Sequence, residues 1–436
     1  MNDIVKPSTI AGVMELLPED QLAFNYIKSV IEETFKKYQF LPIDTPLIEK
    51  DEILFAKGGG ETEKQIFKIE SESKNMSLRF DLTVPLARYV AEHFSFLNFP
   101  FKRYHIAKVY RGERNQKGRY KEFYQCDIDI IGNNKLSIYN DALLPRVIYE
   151  IFSKLDFKGL SFHINNRKLL NGYFKSLGIE DSTETLRIID KMAKIGKDKT
   201  IDLLKKEVSS DKAIEIVDFL DNNLSNTEVL EKLEKEKKNE LFLQGLEELK
   251  TVYAYMKEFG IPDENIKLDL SITRGLDYYT STVYETFLNG YESIGSVCSG
   301  GRYEDLASKF SKQKLPGVGL SIGLTRLFYQ FQELGLVDKY KKDFTQVLVV
   351  PMDDSYNFYA IDLVNKLREE AIRVDLYLEG GKSGKKLAYA DKIGVKNVII
   401  IGEEEYKNKV LTLKNMETGD QSTLGLDELI EKIKQS

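Results

Sequence analysis

Two stretches of strand-like alternation, Tyr104 to Arg111 and Phe123 to Ile131, flank the polar segment Gly112–Arg119, and this pairing constrains the fold more than any other feature of the chain. Two such runs joined by a short polar connection make a long antiparallel hairpin. An antiparallel sheet is therefore expected at the centre of the protein, with a basic loop at one end of it. Residues 102–121 carry Lys102, Arg103, Lys108, Arg111, Arg114, Lys117, Arg119 and Lys121 against Glu113 alone, a local net charge of +7 in a chain whose overall formal charge is -6. Local charge decides what a surface attracts, so the acidic average does not exclude a polyanionic ligand.

The second strand of the hairpin reads Tyr124-Gln125-Cys126-Asp127-Ile128-Asp129-Ile130. A two-residue period puts Gln125, Asp127 and Asp129 on one face and Cys126, Ile128 and Ile130 on the other. Such a pattern describes a sheet with one solvated face. With clustered arginines beside it, it equally describes a site that holds a zwitterion and a polyphosphate together. Asp81 and Thr83 offer a second small acceptor pair. Arg274 follows strand-like residues and precedes Gly275, an arrangement that fits either a surface hairpin or a planar fork presented to phosphate. Gly317-x-Gly319-x-x-x-Gly323-x-x-Arg326 fits either close strand-to-helix packing or a third arginine element. No Gly-Lys-Ser/Thr follows it and it is not a dinucleotide fingerprint. Three arginine elements on a mainly antiparallel sheet suit ATP bound without a P-loop.

At 436 residues the chain exceeds one compact core, and 24 Tyr with 24 Phe supply ample apolar area. The spacing predicts a helix from about Pro18 to Tyr38, a strand at Phe40–Ile43, a helix at Val84–Phe94, and strands at Lys267–Ile272, Thr282–Phe287 and Ser293–Cys298, the last ending in Gly300-Gly301. Between Asp181 and Phe259 Lys and Glu become dense, as in a helical insertion. After the charged Asp338–Asp343, strands alternate with helices, including a helix at Lys385–Lys392, which makes a small α/β domain. The expected domains are 1–165 and 260–335 for the core, 166–259 for the insertion, and 343–436 for the α/β domain. No run approaches the ~20 apolar residues of a membrane span. The N-terminus has no leader, and Cys126 and Cys298 lie far apart without metal-ligand spacing, so a cytoplasmic protein with no metal site of its own is expected.

Val109-Tyr110-Arg111-Gly112-Glu113-Arg114, continuing through Gln116-Lys117-Gly118-Arg119-Tyr120-Lys121-Glu122-Phe123-Tyr124-Gln125, resembles motif 2 of the class II aminoacyl-tRNA synthetases in its histidyl form. Arg274–Tyr279 and Ser299-Gly300-Gly301-Arg302-Tyr303 are similar to the two histidine signatures, Gly319–Arg326 to motif 3, and the region of Pro46 to the dimer-forming motif 1. Two positions depart from the pattern. Gly12-Val13-Met14-Glu15 stands where many members have Gly-Thr-Arg-Asp, and Thr325 stands where motif 3 has an acidic residue, a change expected to alter local support of the helix rather than a phosphate contact.

The resemblance implies an α+β fold: an antiparallel sheet flanked by helices, a helical insertion, and a C-terminal α/β anticodon-binding domain. It implies ATP-dependent ligation of L-histidine to tRNA(His) by a homodimer with Mg2+. Arg111 and Arg274 would grip the ATP α-phosphate, Arg326 the γ-phosphate and Arg119 the outer phosphates, with Glu113 at the adenine edge and Phe123 stacked on the ring. Asp81, Thr83 and Gln125 would hold the amino-acid backbone groups. Asp129 and Tyr279 would read the imidazole, with Tyr278 and Tyr303 lining its pocket. In the C-terminal domain Lys382, Lys385, Lys386, Lys392 and Lys396 cluster with only Asp391 among them. This is either a solvated helix face or a tRNA contact, and Lys382, Lys385 and Lys386 are the candidates for the latter. The rival reading is the non-catalytic, synthetase-like regulatory subunit of ATP phosphoribosyltransferase. Such subunits lack the anticodon domain and degrade the arginines kept here.

Overall fold

The computed structural model describes residues 5–56, 63–70, 75–113, 117–220, 223–273, 279–305, 307–341 and 344–435. The chain divides into two compact units, Met1–Asp338 and Lys339–Ser436. The strands of the first unit are β1 (Leu41–Pro42), β2 (Ile48–Lys50), β3 (Met76–Leu78), β4 (Phe101–Tyr110), β5 (Glu122–Ile131), β6 (Leu160–Asn166), β7 (Ile266–Leu268), β8 (Thr282–Leu288), β9 (Cys298–Tyr303) and β10 (Gly317–Gly323). Eight of them form one sheet in the order β1-β4-β5-β10-β9-β8-β6-β7, while β2 and β3 pair separately. Only the outermost pairings, β1 with β4 and β6 with β7, are parallel.

The hairpin expected from the alternation is β4 and β5, in register from Phe101 opposite Ile131 to Tyr110 opposite Glu122. Cys126, Ile128 and Ile130 have no exposed surface. Their side of the sheet lies under the helix Pro18–Lys37, which opens on a proline with Glu19 and Asp20 in its first turn and Lys36 and Lys37 in its last, the charge order that suits a helix dipole. Its Phe24 ring packs 5.5 Å from Tyr124 and 5.3 Å from Phe328 of the helix Leu324–Glu333. The opposite face is not solvated. Asp127 and Asp129 are buried as well, so β5 is buried on both sides from Cys126 to Ile131, while Glu122–Gln125 stay partly exposed.

Two strands differ from the alternation. The expected strand at Ser293–Cys298 is displaced to Cys298–Tyr303, so Gly300 and Gly301 lie inside it. A Cβ at residue 300 would fall 2.0 Å from the Gly319 carbonyl oxygen. Close approach of β10, rather than chain reversal, is what requires glycine there. The strand expected to reach Ile272 stops at Leu268, because Asp269 Oδ1 accepts from Ser271 N at 3.0 Å and Ser271 Oγ at 2.6 Å and turns the chain.

From Arg167 to Glu258 the described residues form helices, beginning with Arg167–Ser176, capped by the Asn166 side chain, and ending with Glu240–Glu258. The second unit has strands β11 (Val347–Pro351), β12 (Val374–Leu376), β13 (Asn397–Ile401), β14 (Leu411–Asn415) and β15 (Gln421–Leu424) in the order β12-β11-β13-β14-β15. The first three are parallel, with helices between them, as the α/β pattern predicts. β14 and β15 form an antiparallel extension that the pattern did not show. Val347 and Val349 face one apolar core and Leu348 and Val350 another, so β11 is buried on both sides. Among the described residues no helix is long and apolar enough to cross a membrane.

A buried ion pair ties β9 to the helix Tyr139–Lys154. Arg302 Nη2 lies 2.6 Å from Asp141 Oδ1, Thr282 Oγ1 donates to Oδ2 at 2.7 Å, and the guanidinium also donates to the Leu136 and Ser137 carbonyls at 3.2 and 2.9 Å. Asp141 has no exposed surface. Arg302→Ala leaves that carboxylate buried without its counter-charge and is expected to cost about 3–5 kcal/mol, read from urea unfolding with Asp141→Asn/Arg302→Ala as the compensating control. A loss under ~1 kcal/mol, the scale of an exposed pair, would show that Arg302 does not support the fold.

Candidate active site

The register of the sheet assembles the site. Across β4, β5 and β10, Arg103, Asp129 and Gly319 form one row, His105, Asp127 and Ser321 the next, and Ala107, Gln125 and Gly323 the third. Alternate residues share a face, so all three rows look to the same side. A Cβ at residue 319 would sit 2.1 Å from Asp129 Oδ1. The glycine makes the space the Asp129 carboxylate occupies.

At the inner end of these rows, Asp129 accepts a 3.0 Å hydrogen bond from the Tyr303 hydroxyl and is ion-paired with Arg103 Nη2. Tyr279 packs with Tyr303 in the same apolar cluster. Arg167 donates to the Tyr279 and Thr273 carbonyls at 3.2 and 3.0 Å, anchoring the chain on both sides of residues 274–278. Arg274 and Tyr278 themselves lie outside the described residues. Asp81, just before the helix Thr83–Glu92, accepts from Val84 N in its first turn at 3.1 Å, while its Oδ2, with Gln125 Oε1 and Asp127 Oδ1, is buried without a hydrogen-bond partner. Burial pushes the Asp81 carboxyl up to about 6 and the Asp127 carboxyl above its ordinary range. Gln125 donates to Ser321 Oγ at 2.9 Å. A cluster of acceptors short of donors is suited to an ammonium group.

At the outer end, Arg111, Glu113, Arg119, Phe123, Gln125 and Arg326 line one cavity. Arg111 Nε donates to the Phe80 carbonyl at 2.9 Å and its guanidinium centre lies 5.1 Å from the Phe123 ring centre. Arg119 pairs with Glu113 at 3.1 Å, and Arg326 Nη1 donates to Ser296 O at 3.1 Å. A larger cavity of about 430 Å³ lies beyond it on the same face, but its lining includes Asp190, Asp269, Glu285 and Glu292 against Lys194. Carboxylates in that excess repel phosphate, whereas the arginine-lined cavity attracts it. Of the two, the smaller cavity has the charge that suits phosphate.

Several participants had no assigned role in the sequence. Arg103 and His105 continue the β4 alternation; Arg103 was legible only as part of the basic run, and His105 not at all. Gly12 O accepts from Lys121 N at 2.6 Å and Val13 bridges to Glu122, so the divergent N-terminal element braces the second hairpin strand. Thr325 Oγ1 accepts from Tyr124 N at 2.8 Å, a neutral support that ties the helix Leu324–Glu333 to β5. In the second unit Lys382 and Lys385 are exposed at the start of the helix Ser383–Lys392. Lys386 departs from both expectations, a solvated face and a tRNA contact: it is buried, and its ammonium donates to the Pro351 carbonyl at 2.6 Å. It is committed to the interior of its own domain.

The histidyl-tRNA synthetase family model matches residues 12–327 and the anticodon-binding domain model residues 346–436. A histidine--tRNA ligase of Clostridium tetani is 54% identical over 435 residues, 99% of each chain. The crystal structure of histidyl-tRNA synthetase from Nostoc sp. PCC 7120 superposes with a TM-score of 0.90 at 38% identity, covering 99% of this chain and 100% of that one. A Bacillus halodurans structure described as an ATP phosphoribosyltransferase regulatory subunit/histidyl-tRNA synthetase superposes at 0.74 with 21% identity over 91% of this chain and 99% of that one, which is a likeness of fold. The antiparallel sheet with its flanking helices and the C-terminal anticodon-binding domain are those of a class II aminoacyl-tRNA synthetase. Within that class, the chain belongs to the histidyl-tRNA synthetase family.

Proposed function

We infer that the protein ligates L-histidine to tRNA(His) in two steps, using ATP as substrate. A histidine carboxylate oxygen attacks the α-phosphorus and pyrophosphate leaves; the terminal ribose 3′-hydroxyl of the tRNA then attacks the histidyl carbonyl and AMP leaves. The observation that carries this reading is the arginine-lined cavity continuous, along one sheet face, with a row of buried acceptors. Catalysis of this kind is positioning and charge stabilisation. Arg111 and Arg274 act on the α-phosphate, Arg119 and Arg326 on the outer phosphates, Glu113 on the adenine edge and Phe123 on its ring. A guanidinium stays protonated throughout and spans two phosphoryl oxygens.

Asp81, Thr83 and Gln125 hold the ammonium and carboxylate of histidine. Asp129 and Tyr279 read the imidazole, with Tyr278 and Tyr303 closing its pocket. An acceptor placed for a ring N–H rejects side chains that lack one. Mg2+ travels with ATP. Glu113 is the one carboxylate among the described residues of the nucleotide cavity, so phosphate oxygens and water would supply most ligands, as that ion prefers, and the metal would offset the charge of the leaving pyrophosphate. Lys382 and Lys385, at a helix N-terminus, suit tRNA phosphates. Homodimerisation near the β1 edge of the sheet is supported by the exposed Leu41 of β1 and the exposed Leu47 and Ile48 at the start of β2, and a cytoplasmic setting by two buried free thiols. The regulatory-subunit reading has less support, since Arg111 and Arg326 meet in one cavity and the anticodon-binding domain is present.

The test is ATP–pyrophosphate exchange with each amino acid in turn. Exchange should depend on histidine and on no other. A folded protein that exchanges with none of them would favour the regulatory reading.

A further inference from the structure

Arg103 is a charged side chain with no exposed surface, in the middle of β4, to which no motif assigns a task. It stands directly opposite Asp129 in the sheet register, pairs with Asp129 Oδ2 through Nη2, and brings Nη1 to 3.5 Å from the Asp127 carbonyl oxygen. A guanidinium is kept in such a place only where counter-charge repays its desolvation. Here the repayment is mutual, because Asp127 and Asp129 are buried side by side on one strand face. The second Asp129 oxygen is occupied by the Tyr303 hydroxyl. Both oxygens are thus oriented by partners on two different strands, β4 and β9, and Gly319 leaves the carboxylate room between them.

We propose that Arg103, through its buried ion pair with Asp129, sets the orientation and charge of the carboxylate that accepts the imidazole N–H, and is thereby a specificity-determining positioning residue of the amino-acid site. The proposal rests on the reading of Asp129 as the imidazole acceptor. Ionised, that carboxylate only accepts; protonated, it presents an O–H to the ring N–H and the fit is lost. The groups facing Asp129 among the described residues are Arg103 on β4, Asp127 on its own strand, Tyr303 on β9 and Asp81 at the start of the helix Thr83–Glu92. Burial raises Asp129, helped by Asp127 and Asp81, while Arg103 and the Tyr303 hydroxyl pull it down, and the balance stands at about 7. His105, next on the β4 face, is held down at about 4 by burial and by Arg103, so with Arg103 in place it is neutral at pH 7 and the guanidinium is the counter-charge on that strand. Loss of Arg103 therefore raises Asp129 further, and the accepting form appears only at higher pH.

The experiment is histidine-dependent pyrophosphate exchange by the full-length protein between about pH 6 and 9, with Arg103→Gln, Arg103→Lys, Asp129→Asn and the Arg103→Gln/Asp129→Asn double variant. The imidazole of free histidine titrates near 6.5 in every assay, so differences between variants belong to the enzyme. Arg103→Gln should lower kcat/KM for histidine about tenfold or more at pH 7, move its acid limb upward by about one pH unit and leave the ATP KM within about twofold. Arg103→Lys keeps the charge without the fork and should raise the histidine KM while shifting the limb less. The double variant should be no worse than Asp129→Asn alone, the signature of one residue acting through the other.

If Asp129→Asn leaves kcat/KM for histidine unchanged, the reading of Asp129 itself fails. If Asp129→Asn is damaging but the acid limb of Arg103→Gln coincides with wild type, Arg103 is structural only and the proposal is overturned. Should Arg103→Gln not fold, Arg103→Lys decides: a raised histidine KM with unchanged ATP KM supports the proposal, and wild-type values of both overturn it.

Discussion

Arg111→Ala is expected to lower the rate of histidyl-adenylate formation by about 10²- to 10³-fold, the loss seen when a preorganised charge aimed at a transition state is removed. The guanidinium is preorganised in two ways. Its Nε is tied to the Phe80 carbonyl at 2.9 Å, and its centre lies 5.1 Å from the Phe123 ring centre, an arrangement with cation–π character. Charge at the α-phosphate changes most during the displacement, so turnover should fall more than histidine binding. Arg111→Lys should recover little, because a point charge does not span two oxygens in a fixed plane. Single-turnover adenylation measures the effect. A variant within about threefold of wild type, or ~0.7 kcal/mol, would remove Arg111 from the phosphate site.

The second large effect is expected from ending the chain after Asp338. The first unit contains the whole sheet and the described part of the site, and the second has its own cores on both faces of β11. Histidine-dependent pyrophosphate exchange should therefore persist in the shortened protein, while charging of tRNA(His) should fall by about two orders of magnitude or more, since the anticodon-binding domain supplies contacts that hold the tRNA in place. In the full-length protein, charging should also weaken as salt is raised and phosphate contacts are lost. Lys385→Ala should reduce that salt dependence. Lys386→Ala should instead lower the stability of the C-terminal domain, because it leaves the Pro351 carbonyl without its buried donor. A shortened protein of native size and secondary structure that charges tRNA as well as the full-length chain would give the C-terminal domain another purpose.

The hairpin, the face shared by Gln125, Asp127 and Asp129, the parallel core of the second unit and the motif positions were all legible in the sequence. They depend on periodicities of two and 3.6 residues, which any one segment displays by itself. What covers a face is not a local property. The alternation of β5 is compatible with solvent on the Asp127 side, and only the folded structure shows Asp127 and Asp129 buried there, with Arg103 of β4 opposite Asp129. Gly300 and Gly301 read as a strand end because glycine is rare inside strands, yet they lie within β9 because β10 and the Tyr279 ring approach too closely for a Cβ. Lys386 read as part of a solvated cluster because the lysines are near one another in the chain. Its burial depends on a carbonyl 35 residues away.

The sequence by itself thus determined the class of fold and the family, because those follow from residue types at short spacing. The tertiary structure alone decided which charges neutralise one another, since desolvated groups are governed by the partners that distant strands bring to them. Arg103 with Asp129 and Arg302 with Asp141 are pairs of that kind, separated by 26 and 161 residues along the chain and joined only in the folded protein.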